Sequence, residues 1–142
     1  MKPSQILACF LLLAGLGLVI LYVSIDYKRE TMTQVSYGTQ IWMPCRNYAS
    51  DHGGRFPDTL DDLVAEGYMD KENLAYLSKS TDPHFSSAWH YLGNGHKSDE
   101  PDFVLMEHTT PINYPGGKMM VVRIHSEWGG SSGPEMVRNG AR

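Results

Sequence analysis

The segment ILACFLLLAGLGLVILYVSI, Ile6 to Ile25, carries no charged residue over twenty positions. As a helix it rises about 30 Å, the thickness of a bilayer's hydrocarbon core. A core helix this long and this uniformly apolar is out of proportion to a chain of 142 residues. A membrane-spanning helix is therefore expected, and it restricts the rest of the chain to one ordinary domain of about 117 residues. A cleaved signal peptide would have a shorter apolar region followed by a small-x-small site. Tyr22, Val23, Ser24, Ile25 and Asp26 do not supply one. Lys2 precedes the run, and Lys28 and Arg29 follow it between Asp26 and Glu30, so counting basic residues does not orient it. The long, mildly acidic segment that follows is expected outside the cytoplasm, because such domains translocate largely without regard to flanking charge.

From Thr31 to Asp51 the pattern suits an amphipathic helix continuing out of the membrane. Met32, Val35, Trp42 and Ala49 recur at helical spacing, and Ile41, Cys45 and Tyr48 widen the stripe. Pro44 lacks an N–H and predicts a kink. A break near Gly38 into two helices is the alternative. Next comes HGGRFPDTLDDLV, residues 52–64. Gly53 or Gly54 can close the first helix in the left-handed conformation, and Pro57 holds Phe56 extended. Asp58 or Thr59 can cap a short second helix, with Asp61 or Asp62 three residues on. Leu60, Leu63 and Val64 form its apolar side and Gly67 ends it. The joint is expected to fold this helix back so that Phe56, Leu60 and Leu63 cover Trp42 and Tyr48. His52 is expected to serve as a polar cap near the helix end.

The second half reads as strands. Trp89, Tyr91 and Leu92 favour a strand over 88–92, FVLMEH one over 103–108, and KMMVVRI one over 118–124. GNGHKSDEPD and TTPINYPGG are read as loops, too short for helical crossovers, so an antiparallel meander is expected. Met120, Val122 and Ile124 would face the core, or Met119, Val121 and Arg123 in the reversed register. The glycine-rich tail after residue 124 is expected to cross the surface and fray, with Trp128 tucked onto the sheet. The fold class is thus α+β: an N-terminal transmembrane helix extending into an amphipathic helix, packed on a small antiparallel sheet. The anchor and its flanks occupy residues 1–30 and the head 31–142.

This order, with Tyr48, Ala49, Asp51, His52, Gly53, Gly54, Arg55, Phe56, Pro57, Asp58, Leu60, Asp62 and Leu63 at the joint, resembles type IV pilin-like proteins. It is most similar to the major pseudopilin of type II secretion. The resemblance implies a structural subunit of a pilus-like or pseudopilus assembly that supports protein export. It implies a single-pass protein of the bacterial inner membrane with its head facing the periplasm. It also implies self-association, or association with other pseudopilins, through the N-terminal helix, with N-terminal methylation after processing. Major pseudopilin heads commonly hold calcium in a late acidic loop, which here points to Asp99 and Asp102 of SDEPD. Calcium takes six to eight oxygens, so two carboxylates would need carbonyls beside them. The chain departs from the family pattern in having no glycine–phenylalanine processing site before the apolar run and no glutamate between Ile6 and Ile25. A membrane-anchored, non-assembling binding or scaffolding protein with a pilin-like head is the alternative.

Other functions find less in the chain. A net charge of −4 and no Lys/Arg cluster argue against nucleic-acid binding. Among six histidines two short clusters with acids stand out, Glu107-His108 and His125-x-Glu127. Neighbours on a strand face opposite ways, so only the second pair could share a face. There is no HExxH, CxxC, nucleophile elbow or phosphate-binding loop. No enzymatic activity and no cofactor other than calcium is expected. Cys9 lies inside the apolar run and Cys45 well beyond it, so the fold is expected to hold without a disulfide.

Overall fold

A computed structural model of the chain describes residues 3–114, 118–127 and 133–137. One helix, α1, runs unbroken from Pro3 to Asp51. Two short helices follow, α2 at Leu60–Ala65 and α3 at Lys71–Leu77, then five strands: β1 Trp89–Tyr91, β2 Val104–His108, β3 Ile112–Tyr114, β4 Lys118–His125 and β5 Gly133–Val137. The architecture is α+β, with one long apolar N-terminal helix and a small, open antiparallel sheet.

The covered part of α1 shows why helix and sheet meet. Thr31, Gln34, Gly38, Ile41, Cys45 and Ala49 are buried, at steps of three and four. That is one narrow stripe of a helix. Val35, Tyr37, Trp42 and Tyr48 flank it half-buried. Met32, expected in the stripe, is 73% exposed, because the stripe runs one position away from it, through Thr31. Gly38 is not a break. A Cβ there would lie 2.6 Å from Ile124 Cγ1 and 2.8 Å from the Trp89 ring. Glycine at this position lets the sheet sit directly on the helix backbone. The helix also continues through Pro44 without dividing.

The sheet is built around β4. Arg123 pairs with Glu107 of β2 and Gly133 of β5, and Met120 with Ile112 of β3 and Met136 of β5. A strand has two edges, so β5 occupies one and β2 and β3 share the other, end to end. β1 pairs antiparallel with β2 on its far side, Trp89 opposite His108. Two expectations are corrected here. Residues 112–114 are a strand rather than loop, since Ile112, 2% exposed, enters the core opposite Met120. The tail also returns as β5 instead of only crossing the surface. The expected packing of Trp128 falls outside the described residues.

Met120, Val122 and Ile124 face the core, which settles the register of β4. The β2 register shifts between Val104 and Met106, and Leu105 and Met106 are both fully buried there. With Ile41, Cys45, Ala49, Phe56, Leu63, Leu77 and Trp89 they form one core. Polar groups at its edge are bonded: Trp89 Nε1–H donates to Leu77 O at 3.1 Å, and Trp42 Nε1–H to Ser126 O at 3.1 Å. The first ties α3 to the sheet and the second ties α1 to the end of β4.

Candidate functional site

Among the described residues, the first half of α1 presents a run of exposed apolar side chains. Phe10, Leu11, Leu12, Leu13, Leu16 and Leu18 are each 59–73% exposed, and the pattern continues to Ile25. An 18-residue window of this helix is long and apolar enough to cross a membrane, and none of it is buried in the protein. Its backbone polar groups are satisfied within the helix, as a bilayer demands. The Ser24 hydroxyl likewise donates to Ile20 O at 2.8 Å. Contiguous apolar surface of this extent marks an interaction site rather than an ordinary exterior. Gly15 and Gly17 have nothing near them, so neither is required by contacts inside the monomer.

At the other end of α1 the joint locks the helix to the head. Gly53 and Gly54 take φ of +62° and +89°, the left-handed region open to glycine. The Gly54 N–H closes the helix on Ala49 O at 2.7 Å. Of the two cap candidates Thr59 takes the N-cap position of α2, and Asp62 at the third helical position accepts its N–H at 2.7 Å, the reciprocal half of a capping box. His52 reaches further than a simple cap. It stacks on Tyr48 at 3.8 Å, its Nδ1 lies 2.8 Å from Tyr48 O, and its Nε2 lies 2.8 Å from Glu66 Oε2 just past α2. Tyr68 O–H donates to Asp51 at 2.7 Å, and that bond, with partial burial, pushes its pKa up to about 12. The joint also pairs with the late loop: Phe56 N–H donates to His96 O and Ser98 N–H to Gly54 O. Tyr91 O–H, on β1, donates to Pro57 O at 2.8 Å.

The late loop is the place where calcium is expected. Asp99 is exposed in its turn. Asp102 points to the end of β4. Its Oδ2 lies 2.8 Å from His125 Nδ1, and its Oδ1 accepts from the Ser126 hydroxyl and the Glu127 N–H. Glu100 accepts from Lys97 N–H and faces His96 Nδ1 at 2.7 Å, and the His96 bond holds its carboxyl below the usual range. These bonds fold the loop on its own side chains. Among the described residues no three His, Cys, Asp or Glu are grouped to hold a metal ion. Asp102 thus already engages both carboxylate oxygens with partners at the end of β4.

Glu107 and His108 separate as strand alternation requires, and Glu127 lies past the end of β4, its N–H bonded to Asp102. Glu107 turns outward and His108 turns onto the edge of the Trp89 ring, 5.0 Å away, where burial pushes its pKa down. On the outer face Arg123 bridges Glu107 at 3.1 Å and Glu135 at 2.6 Å, and His125 Nε2 lies 3.4 Å from Glu135. This ladder of charges covers the sheet face turned away from α1. It was not anticipated, because its Glu135 rung lies on β5 in the tail read as surface coil.

Comparison with known protein families, curated proteins and solved structures gives no match to this chain.

Proposed function

We propose that the protein is a structural subunit of a pilus-like or type II secretion pseudopilus assembly, anchored in the bacterial inner membrane with its head in the periplasm. One observation carries this reading. A single helix, Pro3–Asp51, is bare and apolar through its first half and is the spine of a folded head through its second. Such a subunit can bury its apolar half in lipid before assembly and against other helices after it. The capped joint and the closely packed Gly38 hold the head to the helix, so a displacement of the helix would carry the head with it.

A membrane-anchored head that does not assemble is the second reading. It is favoured by the absence of any acidic residue between Ile6 and Ile25, where pilin-like subunits carry a glutamate. Mass spectrometry of the mature N-terminus from native membranes separates the two. A trimmed, N-methylated end is expected for a pilin-type subunit. Cysteines placed singly between residues 6 and 30, in a Cys9→Ser background, should then crosslink one copy to another. An intact start with no crosslinks at native expression would leave the plain anchor.

A further inference from the structure

A groove of about 500 Å³ lies at the base of the head, where α1 leaves its apolar half. Asp26, Arg29, Glu30 and Gln34 line one wall, and Lys79 after α3 and His108 at the end of β2 line the other. Burial lowers the His108 pKa, so the charges here are the cations Arg29 and Lys79 and the carboxylates Asp26 and Glu30, with Arg29 Nη2 3.3 Å from Asp26 Oδ1 in an exposed pair that a phosphate would share or displace. Gln34 is itself 7% exposed, and its buried Oε1 has no hydrogen-bond partner in the protein. A buried acceptor of this kind is rare and costly unless something donates to it.

Height along the helix narrows the ligand. At 1.5 Å per residue, Arg29 and Glu30 stand roughly 6 to 8 Å beyond Ile25, and Gln34 about 13 Å. A headgroup layer is about 5 to 8 Å thick on each side of the hydrocarbon. Arg29 and Glu30 thus fall within the headgroup layer; the Gln34 Cα stands about 5 Å or more beyond it, and helical side chains lean back toward the N-terminus, the direction of that layer.

We propose that this groove binds the headgroup of a zwitterionic phospholipid carrying a primary ammonium, with the phosphate against Arg29 and Lys79 and the ammonium against Glu30 and Gln34. The proposal rests on α1 spanning the membrane. The same chemistry is present in a soluble phosphoethanolamine compound, so the test must separate the two sources.

The full chain is purified in mild detergent and offered equal amounts of phosphatidylethanolamine and phosphatidylglycerol with identical acyl chains, and native mass spectrometry reads what is retained. One phosphatidylethanolamine per chain is expected, at least fivefold over phosphatidylglycerol. Glu30→Gln and Lys79→Ala, both at exposed positions, should each cut retention about tenfold with an unchanged unfolding midpoint. Gln34→Leu should lower retention while leaving the head as stable or more so. Equal retention of the two lipids, or folded variants that retain lipid like the parent, would overturn the groove assignment. Binding of glycerophosphoethanolamine without lipid, lost in the same variants, would overturn the membrane source in favour of a soluble ligand. Carbonate washing of native membranes tests the underlying reading separately. Release of the chain there defeats the membrane-spanning helix itself, whereas retention without lipid preference defeats only the groove.

Discussion

The two halves of α1 have the same backbone geometry and opposite surroundings. Between Phe10 and Ile25 the helix is apolar on every side and covered by nothing in the monomer. From Thr31 to Ala49 only one stripe is buried, and that stripe includes Thr31, Gln34 and a glycine. Helix formation alone satisfies the backbone in both halves, so it does not distinguish them. Side chains do. A helix apolar all round must find a partner outside its own chain, whereas a striped one finds it in the sheet that follows. The contrast separates the stability of the head from the attachment of the anchor, and substitutions in the two halves should act on different measurements.

The sharpest contrast is a large-to-small change in each half. Ile41→Ala empties a fully buried site and should cost the head about 2 to 5 kcal/mol in denaturant unfolding. Leu16→Ala, at a position 59% exposed, should leave that midpoint in place. Equal effects would mean that the bare half also packs on the head. A second pair uses glycines. Gly38→Ala drives a Cβ into Ile124 and Trp89, and overpacking of about 1 to 3 kcal/mol should exceed the roughly 1 kcal/mol gained in helix propensity. Gly15→Ala meets nothing within 4 Å, so head unfolding should not change.

The pH dependence of unfolding at alkaline pH probes the head. Burial raises the Cys45 thiol from 9.0 to about 12, and Tyr68 rises from 10.0 to about 12 through its bond to Asp51. Both acids stay protonated in the folded head while the unfolded chain ionises. Stability is therefore fully present below pH 9 and falls as pH rises from 9 to 12, the thiol contributing first. Cys45→Ala should flatten the descent between pH 9 and 10, read as the pH slope of the urea midpoint. An unaltered slope would show that Cys45 is not buried as described. The smallest effect is expected on the outer sheet face. Arg123→Gln removes a partly exposed cation from two carboxylates and should cost about 1 kcal/mol, less at high salt.

Legibility in the sequence followed the range of the interactions involved. Thr59, Asp62, Gly53 and Gly54 act on residues within a turn or two of themselves, and the joint could be read from them. The alternation of Met120, Val122 and Ile124 likewise marked a strand with one buried face. Ile112–Tyr114 was missed because three residues between prolines and glycines carry no period, and they become a strand only by pairing with β4. Of the acidic loop, the sequence showed carboxylates at close spacing. Which way Asp102 turns depends on His125, twenty-three residues later.

By itself the sequence determined that one uncharged helix heads the chain, that an amphipathic segment and a capped joint follow, and that the second half forms antiparallel strands. Those features rest on composition, periodicity and local capping, all contained in short windows. Only the tertiary structure decided that α1 runs unbroken past Gly38 and Pro44, that β2 and β3 share one edge of β4, and that Gln34 is buried beside a groove at the base of the head. Each of those depends on what residues distant along the chain place against a position, and no window around the position contains that information.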